Sequence, residues 1–391
     1  MFFLVNPGNQ KHHVSRSFYL EKLSEYAKRG KNTAIVGPKK SGKTFLAREL
    51  VQRLGKEGML PVYMGLNRTS TPPENFSIEL VGGISFWFLG AISSDFVKFQ
   101  TIEHLLSIKE KLGKSAADIV DFLGNELQKI KPDQKLMLKK SFSFAEEISK
   151  KSGKKIILIL DDFENIFDLN NFSQVKDVLS LIDFKNKNVS YVVSSSSSTL
   201  LHSSLKNLNF EFEEMQYFNS EESEKLIEKT IGKVDKKISD EIFSFSHGIP
   251  VLVKSISMRY KEVNNVKKAF LIELSCRNSD SYHYLESSLN DFLYRARGEA
   301  MPKTVVKILA FSKNPRLTEI SRKLYRSAPV TKSILERILL VDMIVKTDNK
   351  YSFANPVLKE WLKLYYSGFE FDEVPSDEIL KHAEEVLNEQ Q

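Results

Sequence analysis

Gly37-Pro38-Lys39-Lys40-Ser41-Gly42-Lys43-Thr44 fits the spacing GxxxxGK[ST], a pattern whose chemistry is the capture of phosphate. Its two glycines free the backbone to wrap so that several N–H groups converge on one anion. A helix opening at the lysine adds its positive N-terminal end. Lys43 supplies a mobile charge for β and γ phosphates, the Thr44 hydroxyl is placed to join a Mg²⁺ shell, and Phe45 follows in the same contact set. Farther along, the apolar run 156–160 ends on Asp161-Asp162. A magnesium site of this kind needs a carboxylate at the tip of a buried strand beside the phosphate-loop strand. Asp161 is therefore expected to hold the metal, directly or through water, and Asp162 to orient or deprotonate the attacking water. Asp162 is one methylene shorter than a glutamate, which keeps Glu164 as an alternative base.

These residues need a particular scaffold. Thr33-Ala34-Ile35-Val36 reads as a strand, and Phe45, Leu46, Leu50 and Leu54 have helical spacing, giving strand, turn, helix. Further strands are expected at Val62-Tyr63-Met64, over 156–160, over 189–193 leading into the serine tract 194–198, and over 210–215. Residues 75–140 read as a largely helical insertion, with turns expected at Gly82-Gly83 and Lys131-Pro132-Asp133. Strands separated by helices imply an α/β fold with a parallel sheet covered on both faces.

Asn219, with Glu222 as a capping box, opens a helical region reaching about Arg297. Helices are then expected over 305–311, 317–324 and 330–340, followed by a hairpin of Met343-Ile344-Val345 and Tyr351-Ser352-Phe353 turning at Asp348-Asn349-Lys350. Three helices and a hairpin form a winged-helix arrangement. The expected organisation is an α/β domain over 1–218, a helical lid over 219–300, a winged helix over 301–366 and an acidic helical tail over 367–391.

The chain has 391 residues, of which 41% are hydrophobic and 27% charged, the balance of a soluble globular protein. Its single Cys276 permits neither an internal disulfide nor a cysteine metal cluster, which points to a reducing, cytoplasmic setting. The apolar start Met1-Phe2-Phe3-Leu4-Val5 stops at Asn6-Pro7-Gly8, too short for a signal core, and no membrane partner is expected. Charge is unevenly placed: residues 301–365 carry +8, whereas residues 366–391 carry −7. In the winged helix, Leu335, Ile338 and Met343 are expected to face the core. Thr331, Lys332 and Arg337, with Lys346 and Lys350 at the hairpin, are expected to face double-stranded DNA, mainly through phosphate contacts. A protein partner or a second copy of the chain is the alternative. The tail, with Ile379, Ala383, Val386 and Leu387 at helical spacing, is expected to fold onto the basic face or bind a partner.

Together these features resemble the archaeal ATPase branch of the AAA+ and STAND superclass, relatives of the origin-recognition ATPases. The likeness includes Arg16-Ser17-Phe18-Tyr19-Leu20 with Leu23, similar to the R-x-x-x-L-x-x-L that precedes the family's P-loop. It includes the P-loop, the acidic strand, Tyr191-Val192-Val193-Ser194-Ser195-Ser196, the lid's Gly248-Ile249-Pro250 and the closing Tyr351-Ser352-Phe353-Ala354-Asn355-Pro356-Val357-Leu358. The stretch between the P-loop helix and the acidic strand matches poorly. The resemblance implies an ASCE-type P-loop sheet binding ATP or ADP with Mg²⁺. It implies Ser195 or Ser196 as sensor of the γ phosphate, and Pro250 and Arg16 beside the adenine. Two departures stand out. No arginine lies between Arg68 and Arg259, where an arginine finger is usual, and the lid arginine is replaced by the Gly-x-Pro arrangement. A finger contributes many-fold in rate, so slow hydrolysis and a switch are implied rather than a motor.

Overall fold

The apolar, β-branched runs become a sheet because strands buried on both faces need helices to cover them. In the computed structural model, which describes residues 14–66, 72–297 and 300–388, α1 (Ser17–Lys28) precedes β1 (Asn32–Val36), α2 (Lys43–Lys56) and β2 (Leu60–Gly65). The expected apolar start at residues 1–5 and Arg68 lie outside the described residues. Four α-helices follow: α3 (Pro73–Leu89), α4 (Ile102–Ile108), α5 (Lys114–Leu127) and α6 (Gln134–Ser152). Then come β3 (Ile156–Asp161), β4 (Val189–Ser195), α7 (Ser198–Leu205) and β5 (Phe210–Glu214). The five strands are parallel in the order β2-β3-β4-β1-β5.

That order corrects one expectation. The acidic strand β3 is not beside the phosphate-loop strand β1, because β4 lies between them. Every residue of β4 is buried, and its Val189, Tyr191 and Val193 belong to the main core, so it occupies a central position. The serines at its C-terminal end consequently stand between the loop and the acids.

A second correction concerns Gly82-Gly83, which lie inside α3 and make no turn. A Cβ on Gly82 would stand 1.7 Å from the Phe99 carbonyl oxygen, and one on Gly83 would stand 2.9 Å from Met64 Sδ. The pair lets α3 press against β2 and the Phe99 turn, a use of glycine that local sequence does not distinguish from a turn. Gly82→Ala is therefore expected to lower unfolding free energy by about 1–3 kcal/mol through overpacking. At an uncrowded helical position the same change would stabilise by up to ~1 kcal/mol, so the sign measured by denaturant unfolding decides between the two accounts. Lys131-Pro132-Asp133 does break the chain, and the Asp133 carboxylate caps α6 by accepting from Leu136 N at 2.9 Å.

The chain continues as α8 (Ser220–Ile231), α9 (Lys236–Ser246), α10 (Pro250–Val263), α11 (Val266–Ser275) and α12 (Asp280–Arg295). Asn219 caps α8 in a reciprocal box with Glu222, at 2.8 and 3.1 Å. Next are α13 (Ala300–Ala310), α14 (Leu317–Leu324), α15 (Ala328–Leu340), β6 (Ile344–Thr347), β7 (Lys350–Phe353), α16 (Pro356–Ser367) and α17 (Asp377–Asn388). Asp348 and Asn349 both take positive φ in the two-residue turn between β6 and β7, as such hairpins require. One hydrophobic cluster joins Leu252, Leu285, Leu335, Trp361 and Ala383, so these helices and the hairpin share a core.

Leu335, Ile338 and Met343 are buried as expected, but Thr331 is too. Thr331 has the helical spacing of the core residues Ile334, Leu335 and Ile338, and its hydroxyl donates to Ser327 O at 3.0 Å. Arg337 also departs from the expected outward role, because its guanidinium donates to the Arg297 carbonyl. Lys332, Lys346 and Lys350 are exposed. The tail helix α17 packs on α11 and α16 through Leu380, Ala383 and Val386, and its acids meet Lys267 and Lys268 of α11. No helix among the described residues is long and apolar enough to cross a membrane.

Candidate active site

The turn from β1 into α2 wraps tightly. A Cβ on Gly37 would lie 2.1 Å from Met215 O, and Gly42 takes φ 102 where α2 begins, so both positions demand glycine. Ser41 N donates to Pro38 O at 3.2 Å and Gly37 N to Ser195 O at 3.3 Å, tying the loop to itself and to β4. Lys43 is only 6% exposed, and its ammonium donates to the carbonyls of Gly37 and Pro38 at 2.8 Å each. Burial pulls its pKa down to about 8 against the upward pull of Glu164, Asp161 and Asp162. Ser41 Oγ is buried without a hydrogen-bond partner inside this loop.

Asp161 ends β3 and is gripped on both oxygens. The Tyr63 hydroxyl of β2 donates to Oδ2 at 2.9 Å, and the Ser194 hydroxyl of β4 donates to Oδ1. Asp162 leaves the strand in the left-handed region with φ 54. Burial, followed by the charges of Asp161 and Glu164, pushes its pKa up to about 6. Glu164 is buried and accepts from Ser196 N at 3.1 Å and Ser196 Oγ at 2.6 Å. It also pairs with Arg295 Nη1 at 2.7 Å. Although burial opposes ionisation, Arg295 and the serine hydroxyls hold the Glu164 pKa below the usual carboxylate value.

Lys43, Thr44, Asp161 and Asp162 line one cavity of about 800 Å³, together with Lys39, Lys40, Gly42 and Phe45. Ser196 reaches its wall, whereas Ser195 is buried with its Oγ accepting from Ser197 N at 2.9 Å. On the other side of the loop a second cavity of about 390 Å³ is lined by Val14, Arg16, Phe45, Phe218 and Pro250. Arg16 is anchored there, donating to Gln216 O at 2.7 Å and Glu222 at 3.2 Å, with its guanidinium 4.8 Å from the Phe218 ring centre. Pro250 occupies the first turn of α10. A charged cavity and a more apolar one thus flank the same glycine loop, a division suited to the phosphates and the base of one nucleotide.

The hydroxyl of Thr44 and the carboxylate of Asp161 are hard oxygen donors that fit Mg²⁺. Among the described residues no group of three or more His, Cys, Asp or Glu is gathered to cage a metal. Few protein ligands suit an ion that keeps water and binds substrate phosphates.

Three residues in this site escaped the sequence reading: Tyr63, Ser194 and Arg295. Arg295 corrects the expectation that the lid supplies no arginine. It ends α12, lines the same cavity as Lys43, and pairs with Asp291 at 3.0 Å as well as with Glu164. Only the folded chain shows this, because nothing near Arg295 in sequence marks a phosphate site. Tyr63 lies in the middle of the expected strand 62–64 and Ser194 immediately after the expected strand 189–193, where polar side chains could have drawn notice.

Residues 13–256 match a family model described as an ATPase domain predominantly from Archaea. Among solved structures, a Walker-type ATPase of Pyrococcus abyssi superimposes with TM-score 0.63 at 19% identity, covering 90% of this chain and 97% of that one. The Orc1 protein of Aeropyrum pernix, solved in complex with DNA, gives TM-score 0.41 at 13% identity over 91% of this chain and 94% of that one. A STAND protein of Pyrococcus horikoshii with a tetratricopeptide-repeat sensor gives TM-score 0.36 at 13% identity over 91% of this chain and 44% of that one. No curated protein matches the sequence.

Proposed function

Because the chain belongs to the family of ATPase domains found predominantly in Archaea, we propose that it binds ATP with Mg²⁺ and hydrolyses it slowly, as a nucleotide-controlled switch. The carrying observation is that Lys43 of α2 and Asp161 of β3, brought from distant parts of the sequence, line one cavity. In this reading the main chain from Gly37 to Gly42 cradles the phosphates, and Lys43 exchanges its carbonyl partners for β and γ oxygens. Bound Mg²⁺, held by Thr44 and Asp161, would neutralise charge on the phosphates. Tyr63 and Ser194 fix Asp161 in orientation. Asp162 accepts the proton of the attacking water, and Ser196, which lines the cavity, reports the γ phosphate. Arg16, Phe45 and Pro250 border the base.

We place the partner of the switch at the unit built from α13, α14, α15 and the β6–β7 hairpin, as double-stranded DNA. Support comes from the exposed cations Arg322, Arg326, Lys332, Lys346 and Lys350. Phosphate contacts release counterions. Five such contacts predict a loss of affinity on the order of 500-fold between 50 and 200 mM salt. Titrating a nonspecific duplex at both salts, with and without ATP, checks this, and Lys346→Ala with Lys350→Ala should flatten the salt slope. A second reading, a protein partner, is favoured by three exposed apolar side chains of this unit, Tyr325 at 88% exposure, Val330 and Val345. Duplex binding that is absent at 50 mM salt, or indifferent to salt, selects that reading.

A further inference from the structure

The apolar cavity beside the glycine loop is lined by two carboxylates, Asp280 and Glu49. Asp280 is exposed in the first turn of α12, where a negative charge serves the helix itself. Glu49 is different. On α2 it shares the cavity wall with Gly42, Phe45 and Leu46, at the spacing of one helical face, and Pro250, Val251 and Lys254 of α10 stand on the same wall. Glu49 is half-buried, and its one hydrogen-bond partner among the described residues is the Ser15 hydroxyl, 3.2 Å from Oε1 and 3.5 Å from Oε2. We propose that Glu49 accepts the 2′- and 3′-hydroxyls of the nucleotide ribose and so makes the site prefer ribonucleotides over deoxyribonucleotides. The inference rests on the ATP reading above and deepens it.

Position is the first support. A ribose must stand between phosphates held at the glycine loop and a base held among Phe45, Phe218 and Pro250. Glu49 lies seven residues beyond Gly42, ~10 Å along the axis of α2. Helical side chains lean back over the turn that precedes their own Cα, which carries the carboxylate toward Phe45 and the interval the sugar must fill.

Chemistry is the second. An ionised carboxylate only accepts, and its two oxygens have room for several donors. A vicinal diol brings two O–H groups to it side by side, and dinucleotide-binding folds use an acid on the ribose 2′-hydroxyl in the same way. The Ser15 hydroxyl, within reach of both oxygens, shows that a hydroxyl donor fits there. Ser15 is exposed and lies between Val14 and Arg16 of the cavity wall, so the pair stands at the solvent edge of the cavity, where a sugar keeps part of its hydration.

The third support is electrostatic. Burial raises the Glu49 pKa above the ordinary carboxylate value, and the Ser15 hydroxyl pulls it back only in part. The nearby Arg16 guanidinium is engaged elsewhere, by Gln216 O and Glu222. Two further hydroxyl donors would therefore stabilise a charge that the protein alone leaves incompletely solvated.

The test compares affinities for ATP, 2′-deoxy-ATP and 3′-deoxy-ATP, each with Mg²⁺, on the full-length wild type, Glu49→Ala and Glu49→Gln. The wild type should bind each deoxynucleotide about 10-fold more weakly than ATP, the weight of one hydrogen bond to a charged group. Glu49→Ala should weaken ATP by roughly 10- to 100-fold and treat the three nucleotides alike. Glu49→Gln keeps one acceptor oxygen and should retain part of the preference. A carboxylate that only braced α2 against Ser15 would weaken all three nucleotides equally and leave their ratios at the wild-type values. If the wild type binds all three with equal affinity, or Glu49→Ala keeps the preference, the ribose assignment is overturned while the ATP reading stands. A wild type that binds none of them overturns the ATP reading and this inference with it.

Discussion

Lys43→Ala is expected to abolish ATP and ADP binding without lowering the thermal stability of the ligand-free protein. Lys43 is a cation enclosed by its own loop, with its pKa pulled from 10.5 to about 8 chiefly by burial. Since the folded value lies below the unfolded one, folding disfavours the charged form. The cost, about 3 kcal/mol, is full at pH below about 8 and fades as pH rises through lysine's ordinary range. Removing the side chain relieves that cost and forfeits two hydrogen bonds to carbonyls, so the two effects oppose each other. Calorimetric titration with nucleotide and a melting curve at pH 7 check both halves. Retained nucleotide affinity would contradict the account, and a collapsed melting temperature would show that Lys43 serves the fold instead.

Asp161→Asn is expected to keep most of the ATP affinity and to lose hydrolysis by roughly 100-fold or more. The carboxylate accepts a hydroxyl on each oxygen, from Tyr63 and Ser194, and presents its charge at the wall of the phosphate cavity. An amide has one acceptor oxygen, so one hydroxyl faces an NH₂ group and the negative charge that would attract Mg²⁺ is gone. Phosphate release measured across a Mg²⁺ titration should show both a lower plateau and a weaker metal dependence. Turnover equal to the wild type would remove Asp161 from the chemistry.

Much of this site was legible because its chemistry is local. The phosphate loop announces itself by two glycines and a lysine at fixed spacing, and the strand before Asp161 by five consecutive apolar residues. The β6–β7 turn was equally plain, since Asp348-Asn349 supplies the two positive φ angles that a two-residue hairpin needs. What stayed hidden depends on distant partners. The placement of β4 between β1 and β3 is a matter of strand order, which periodicity does not encode. Gly82-Gly83 looked like a turn because their reason lies in Phe99 and Met64 pressing on the helix. Thr331 and Arg337 looked outward because polar side chains usually do. One is capped by its own helix and the other caught by a carbonyl forty residues earlier. Arg295 meets Glu164 only after the helical half folds against the sheet.

A crystal structure with a non-hydrolysable ATP analogue and Mg²⁺ tests the account most directly. It should show Lys43 Nζ within hydrogen-bond distance of the β and γ phosphate oxygens, Thr44 Oγ1 on the metal, and Asp161 bound to that metal or to its water. A triphosphate seated away from the Gly37–Thr44 loop, or a magnesium ion out of reach of Asp161, would contradict it.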